Sequence, residues 1–270
     1  MVFFDTRPEN SHCLLGSTRG VRRSGNLAIK SRPFRVSTCK LVNVMVMTFP
    51  FNSSKAPSSH RRAFIRVTCF VDWNSQLLLT GINYEKEPIE SARTAFRQVT
   101  RRIAQCLVKV DASENFQVHL RLYHGWRKGY EPTTNLKAIR NVIAETDFST
   151  ASDKPSVAYS GDVGYGDNLL SALPRRLHLK QGIHLPNTLR ERGSQGCEEK
   201  MVDTALAADL VVCAYQDPNE WILLVTEDDD LIPPLFTAES IINSAQARAL
   251  LLSKRKRGNN LLLLDGLDAS

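Results

Sequence analysis

The chain has 270 residues, 42% of them hydrophobic, and a formal net charge of +7, which allows one large domain or two small ones around a real core. The charge is confined to residues 1–60, where nine Lys/Arg stand against Asp5 and Glu9. The remaining 26 basic and 26 acidic residues cancel, so total charge is no argument for nucleic-acid binding by the folded body. No apolar run reaches the roughly 20 residues of a membrane span. The six cysteines include no CxxC pair and have no histidine at zinc-finger spacing. A reduced, cytoplasmic setting and no membrane partner are therefore expected.

Residues 1–60 show no sustained period, are rich in Ser, Arg and Pro, and read as a disordered basic arm. Within them LVNVMVMTFPF (41–51) faintly resembles a signal peptide but lies far from Met1. A start at Met45 or Met47 and a transit-like leader are the other readings. A folded domain is expected over 61–265. It opens on a buried strand at 63–71, followed by a helix from Pro88 to about Lys109. That helix places Ala92, Phe96, Val99, Ile103 and Leu107 on one face. Phe116 to Tyr123 alternates like a strand, and Asn135 is expected to cap a helix over 136–145. A loop is expected over 147–168, a broken helix over 167–177 and a short strand over 182–189. Glu198 to Tyr215 reads as helix, with Met201, Val202, Ala205, Leu206, Leu210 and Cys213 as its apolar positions. Trp221 to Val225 is an unbroken apolar strand. A helix over 235–251, a basic turn over 253–260 and a last strand over 261–264 complete the pattern. Strands alternating with helices imply an α/β fold with a central, mostly parallel sheet and flanking helices.

In such a sheet ligands bind outside the carboxyl ends of the strands. Asp72 ends the first strand, and Asp228 and Asp230 follow the Trp221 strand. Asp203 lies in the 198–215 helix and shares a face with Leu206 and Leu210, which points it toward packed structure. The ordinary reading of a strand-end aspartate is a helix cap or turn former. Several such carboxylates meeting at one edge would instead suit a hard divalent cation. Asp209, six residues beyond Asp203, faces elsewhere and reads as structural or surface.

Three segments carry a resemblance: Asp72-Trp73-Asn74; Lys200-Met201-Val202-Asp203 followed by Ala205-Leu206-Ala207-Ala208-Asp209-Leu210; and Thr226-Glu227-Asp228-Asp229-Asp230-Leu231-Ile232-Pro233. Together they resemble the NYN domain, a branch of the PIN-like metal-dependent ribonucleases. Family members carry Asp-x-x-Asn, Lys-Gly-Val-Asp with Ala-Leu-Ala-x-Asp-Leu, and Ser-Gly-Asp-Ser-Asp-Phe-x-Pro. This chain departs from them at the position of its first Asn, at Met201 for glycine, at Glu227 for a small residue, and at the extra acid Asp229. The resemblance covers about 63–252. It implies a PIN-like fold and an Mg2+- or Mn2+-dependent endoribonuclease. Asp72, Asp203, Asp228 and Asp230 would be its catalytic metal ligands, and cleavage would proceed by direct attack of water.

Asn74 would orient a ligand or bond substrate, and Lys200 would contact a phosphate. In Tyr123-His124-Gly125-Trp126-Arg127-Lys128-Gly129-Tyr130, aromatics interleave with bases. Trp126, Arg127 and Lys128 are therefore expected to contact single-stranded RNA, unless the loop's aromatics pack locally. Arg93, Arg97 and Arg101 form a basic stripe on the first helix, which also suits a solvated face. The competing functions are an inactive PIN-like module that binds nucleic acid or regulates, and a phosphatase on a similar scaffold. A homo-oligomer remains open.

Overall fold

The computed structural model describes residues 64–171, 185–193 and 197–255. All lie within one compact unit, Ser58–Ser270. The basic arm, the 261–264 strand and most of the 167–177 helix and the 253–260 turn lie outside the described residues.

The first strand, β1 (Ile65–Asp72), runs straight into a short helix, α1 (Trp73–Leu78), which was not expected. α2 (Pro88–Val110) starts on a proline, whose fixed φ suits a first helical turn. Its five expected apolar positions are all buried. β2 (Phe116–Tyr123) and β9 (Trp221–Val225) have the predicted bounds, and β9 is buried along its whole length. Between β2 and β9 lie the hairpin β3 (Arg127–Lys128) and β4 (Glu131–Pro132), then α3 (Thr134–Glu145). Two short strands follow, β5 (Val157–Tyr159) and β6 (Gly164–Tyr165). The hairpin β7 (Leu189–Glu191) and β8 (Cys197–Glu199) precedes α4 (Val202–Gln216). After β9 come a 3₁₀ turn (Asp229–Leu231), α5 (Ile232–Ile241) and β10 (Ala249–Leu252).

Several boundaries differ from expectation. Thr133 caps α3, its hydroxyl accepting from Leu136 N at 3.4 Å, while Asn135 turns to His124. The 147–168 loop contains β5 and β6, because both pair with β2. Gly166 there packs against the Tyr123 ring with no room for a Cβ. The strand expected at 182–189 is β7, beginning only at Leu189. Glu198 and Glu199 belong to β8, so α4 starts later than expected. Its start is Met201, exposed and left-handed at φ 65°. The run Ala249–Leu252 is strand rather than helix: α5 ends at Ile241, and Asn243 Oδ1 holds a turn by accepting from Ala245 N at 3.2 Å. An all-apolar run has no period to separate the two states, and pairing with β9 decides it.

The main sheet has the order β10-β9-β1-β2-β5, with β6 beside the end of β2, and all its pairings are parallel. From β1 the chain winds outward through β2 to β5, then returns to place β9 and β10 on the other side of β1. Between β1 and β9 the direction of winding reverses, which opens a crevice at their carboxyl ends. α4 packs across β1 and β2 and against α5, while α2 packs against α1, α3 and β5. Fully buried Phe70, Trp73, Phe116, Trp126 and Ile103 anchor the core, each contributing about 2–3 kcal/mol of burial.

Candidate functional site

The crevice is where the acids meet. Parallel register sets Val71 beside Val225, so Asp72 and Thr226 leave their strands side by side. The fully buried Thr226 hydroxyl donates to Asp72 Oδ2 at 3.0 Å and accepts from Asp228 N at 3.0 Å. One hydroxyl thus ties both strand ends together. Asp72 Oδ1 also accepts from Ser75 N at 3.3 Å, capping α1. Asp228 Oδ1 accepts from Asp230 N at 2.9 Å and caps the 3₁₀ turn. The ordinary cap reading is therefore true of both aspartates, and it fixes their orientation.

Asp203 stands in the first turn of α4. It is exposed to solvent, contrary to the expectation that it would face packed structure. Protein atoms still crowd one side of it. That desolvation, and the charges of Asp72, Asp228, Glu199 and Asp230, push its carboxyl up to about 6. Burial also raises Asp72, with Glu199 adding to it, against the lowering effect of hydrogen bonds from Ser75 and Thr226. Among the described residues no Lys, Arg or His pairs with Asp72, Asp203, Asp228 or Asp230. The like charges of Asp72, Asp228 and Asp230 thus act on Asp203, with no cation paired to any of the four among the described residues.

Two members escaped the sequence reading. Glu199 accepts from Gly125 N and faces His124 Nδ1. Burial works against its charge, but these partners outweigh it and hold the carboxyl below its ordinary range. An acid four residues before Asp203 was the available signal. The β8 hairpin, rather than a helix, brings it to the site. Thr226 was visible only as a hydroxyl at a strand end.

The added acids are absorbed elsewhere. Glu227 accepts from Ser253 Oγ at 2.7 Å and from the backbone N–H groups of Lys254 and Arg255. Asp229 pairs with Arg255 Nη1 at 2.9 Å. Both fasten the chain after β10 and add no free charge to the crevice. Met201 has a matching explanation: its left-handed backbone is the conformation that favours the glycine found there in the NYN pattern.

The expected RNA contacts fare unevenly. Trp126 is fully buried, with its indole N–H donating to Leu122 O at 3.0 Å and its ring edge-on to His124 and Tyr165. It is a core residue and offers no face for stacking. Arg127 is nearly buried, its Nε on Asp167 Oδ2 at 2.8 Å, so its guanidinium is committed to the fold. Lys128 pairs with Glu191 at the surface, and Lys200 Nζ lies 2.8 Å from Glu198 Oε1. Such exposed pairs are weak and exchange readily for a phosphate. Asn74 lies half-buried in the first turn of α1, and its amide has no partner among the described residues.

The donors in the crevice are all hard oxygens, which suits Mg2+ or Mn2+ over softer ions. Among the described residues no three His, Cys, Asp or Glu side chains form a closed metal-holding group. Among the described residues no helix is long and apolar enough to cross a membrane. Comparison of the chain with protein families, with curated proteins and with solved structures returned no match.

Proposed function

We propose that this α/β domain is a PIN-like, divalent-metal-dependent endoribonuclease acting on single-stranded RNA in a reducing, cytoplasmic setting. One observation carries the reading. Aspartates from three distant segments meet at the switch point of a parallel sheet with no cation paired to them among the described residues, and burial together with these like charges raises the proton affinity of Asp203. Acids held together in this way are costly unless a cation completes them.

Asp72, Asp203, Asp228 and Asp230 would hold Mg2+ or Mn2+. When bound, such an ion supplies a water of lowered pKa and offsets the charge of the phosphate. Thr226 and Ser75 hold Asp72 in place, and the 3₁₀ turn holds Asp228 and Asp230. Attack of water on phosphorus would break its bond to the ribose oxygen directly, without a covalent intermediate, the water's proton ending on the departing oxygen. Exposed Arg97 and Arg101 carry no ion pair among the described residues and offer contacts to the RNA backbone, with Lys128 and Lys200 joining by exchange.

The open spacing of the carboxylates favours a second reading, a nucleic-acid-binding or regulatory module that keeps the fold without catalysis. Labelled single-stranded RNA incubated with the protein in Mg2+, Mn2+ or EDTA separates the two. Metal-dependent cleavage that Asp203→Asn and Asp228→Asn abolish is expected. Equal cleavage by all three proteins would sink the nuclease reading. Binding without cleavage would select the module.

A further inference from the structure

Beside the acids, and sharing Glu199 with them, lies a cleft of about 550 Å³. Its walls come from the first turn of α1, the turn before α2, the start of α3, and the β7–β8 hairpin. The volume falls in the range of small-ligand sites, roughly 300–1,000 Å³. Among the described residues no Lys or Arg lines it, whereas Glu85, Glu198 and Glu199 do. A phosphate is therefore the wrong occupant. The remaining lining mixes neutral polar side chains, among them Asn74, Thr133 and Asn135, with the rings of Tyr84 and His124 and with Leu189.

We propose that this cleft is a nucleobase subsite, which takes one base of the RNA beside the acid crevice and prefers bases carrying an exocyclic amine. The inference rests on the RNA reading above and adds a specificity element to it. Asn74 supplies an amide with no partner among the described residues. Asn135 spends its Nδ2 on His124 Nε2 at 2.6 Å, which leaves its carbonyl to accept. On the other side of the ring His124 Nδ1 faces Glu199. Both sides of the imidazole are thus engaged, and it acts as a positioning residue for Asn135 and Glu199. Half-buried Tyr84 presents a ring against which a splayed base stacks. Burial, then Glu85 and Glu199, raises its phenol, so it stays a donor at neutral pH. Glu198 and Glu199 are already engaged, by Lys200 and by Gly125 N and His124, so the acceptors this wall offers are the carbonyls of Asn74 and Asn135 and the carboxylate of Glu85. Adenine, cytosine and guanine bring amine donors to such a wall, and uracil does not.

The test is fluorescence anisotropy with the full chain in EDTA and labelled five-nucleotide RNAs: oligo-A, oligo-C, oligo-U and an abasic ribose-phosphate chain. Oligo-A and oligo-C are expected to bind about tenfold or more tightly than oligo-U or the abasic chain. Tyr84→Ala and Asn74→Ala should erase that preference while leaving abasic binding unchanged. Tyr84→Phe, which keeps the ring, should retain most of it and guards against a folding artefact. Equal binding of all four chains, or no binding at all, overturns the subsite. Metal-dependent cleavage that ignores abasic substitution would remove the subsite and leave the nuclease reading standing. Base-dependent binding without cleavage would do the reverse.

Discussion

Helix α4 carries two aspartates six residues apart with opposite surroundings. Asp209 is fully buried, yet complete: Arg121 Nη2 lies 2.9 Å from its Oδ2, the Tyr123 hydroxyl donates at 2.8 Å, and Leu170 N donates to Oδ1 at 2.8 Å. Arg121 is itself further held by Asn168 O at 2.6 Å. Asp203 reaches water, yet feels the charges of Asp72, Asp228, Glu199 and Asp230 with no cation paired to these aspartates among the described residues. Burial alone therefore does not distinguish a structural carboxylate from a functional one. Compensation does. A charge whose partners are all protein groups belongs to the fold, and a charge left facing like charges is available to a ligand.

The largest test of this contrast is Asp209→Ala. It leaves Arg121 and Tyr123 buried without their acceptor and should cost about 3–5 kcal/mol of stability, read by urea unfolding. A cost under 1 kcal/mol would place the network outside the fold's energetics. Next is Asp203→Asn. Cleavage should fall by at least about 100-fold, near 2.7 kcal/mol of transition-state stabilisation, with no loss of stability at pH 7. Unfolding of this variant would make Asp203 structural and collapse the comparison. Thr226→Val keeps the shape but removes the hydroxyl that joins Asp72 to Asp228, and should cost about 1–2 kcal/mol together with part of the activity. Full activity with the hydroxyl gone would show that the two strand ends need no tie.

Met201→Gly changes neither carboxylate but relieves the left-handed backbone at the start of α4. A gain of about 0.5–1 kcal/mol is expected, with cleavage unchanged, which separates backbone strain from charge. A stability loss would mean that the Met201 side chain matters more than its φ.

The charge contrast also predicts a pH dependence of stability. The Asp203 carboxyl is raised to about 6 in the fold against an ordinary 3.8. Between those values the native state binds more protons than the unfolded one, so stability falls as pH rises. Below the window both states are protonated and the penalty is absent; above it the penalty is complete. Thermal melts from pH 3.5 to 7 should show the wild type losing ground to Asp203→Asn across this window. Mg2+ at pH 7 should restore it in the wild type alone. Parallel pH profiles for the two proteins would remove the proposed repulsion.

Much of the sheet and three of the acids were legible in the amino-acid order. Alternation marks β2, an unbroken apolar run marks β9, and a helical face from Pro88 marks α2, because each pattern follows from backbone geometry. Asp72, Asp228 and Asp230 follow directly, since they sit where strands end. Partners were not legible, because periodicity tells which way a residue faces and not what stands opposite. Only the return of β9 to the side of β1 away from β2 sets Thr226 against Asp72. Only packing decides that Trp126 fills the core and that Arg127 answers Asp167. The β8 hairpin brings in Glu199, and pairing with β9 makes Ala249–Leu252 a strand. Local order determined the elements and the acids at their ends. Tertiary contact decided which charges find a partner within the chain, since compensation depends on distance in space.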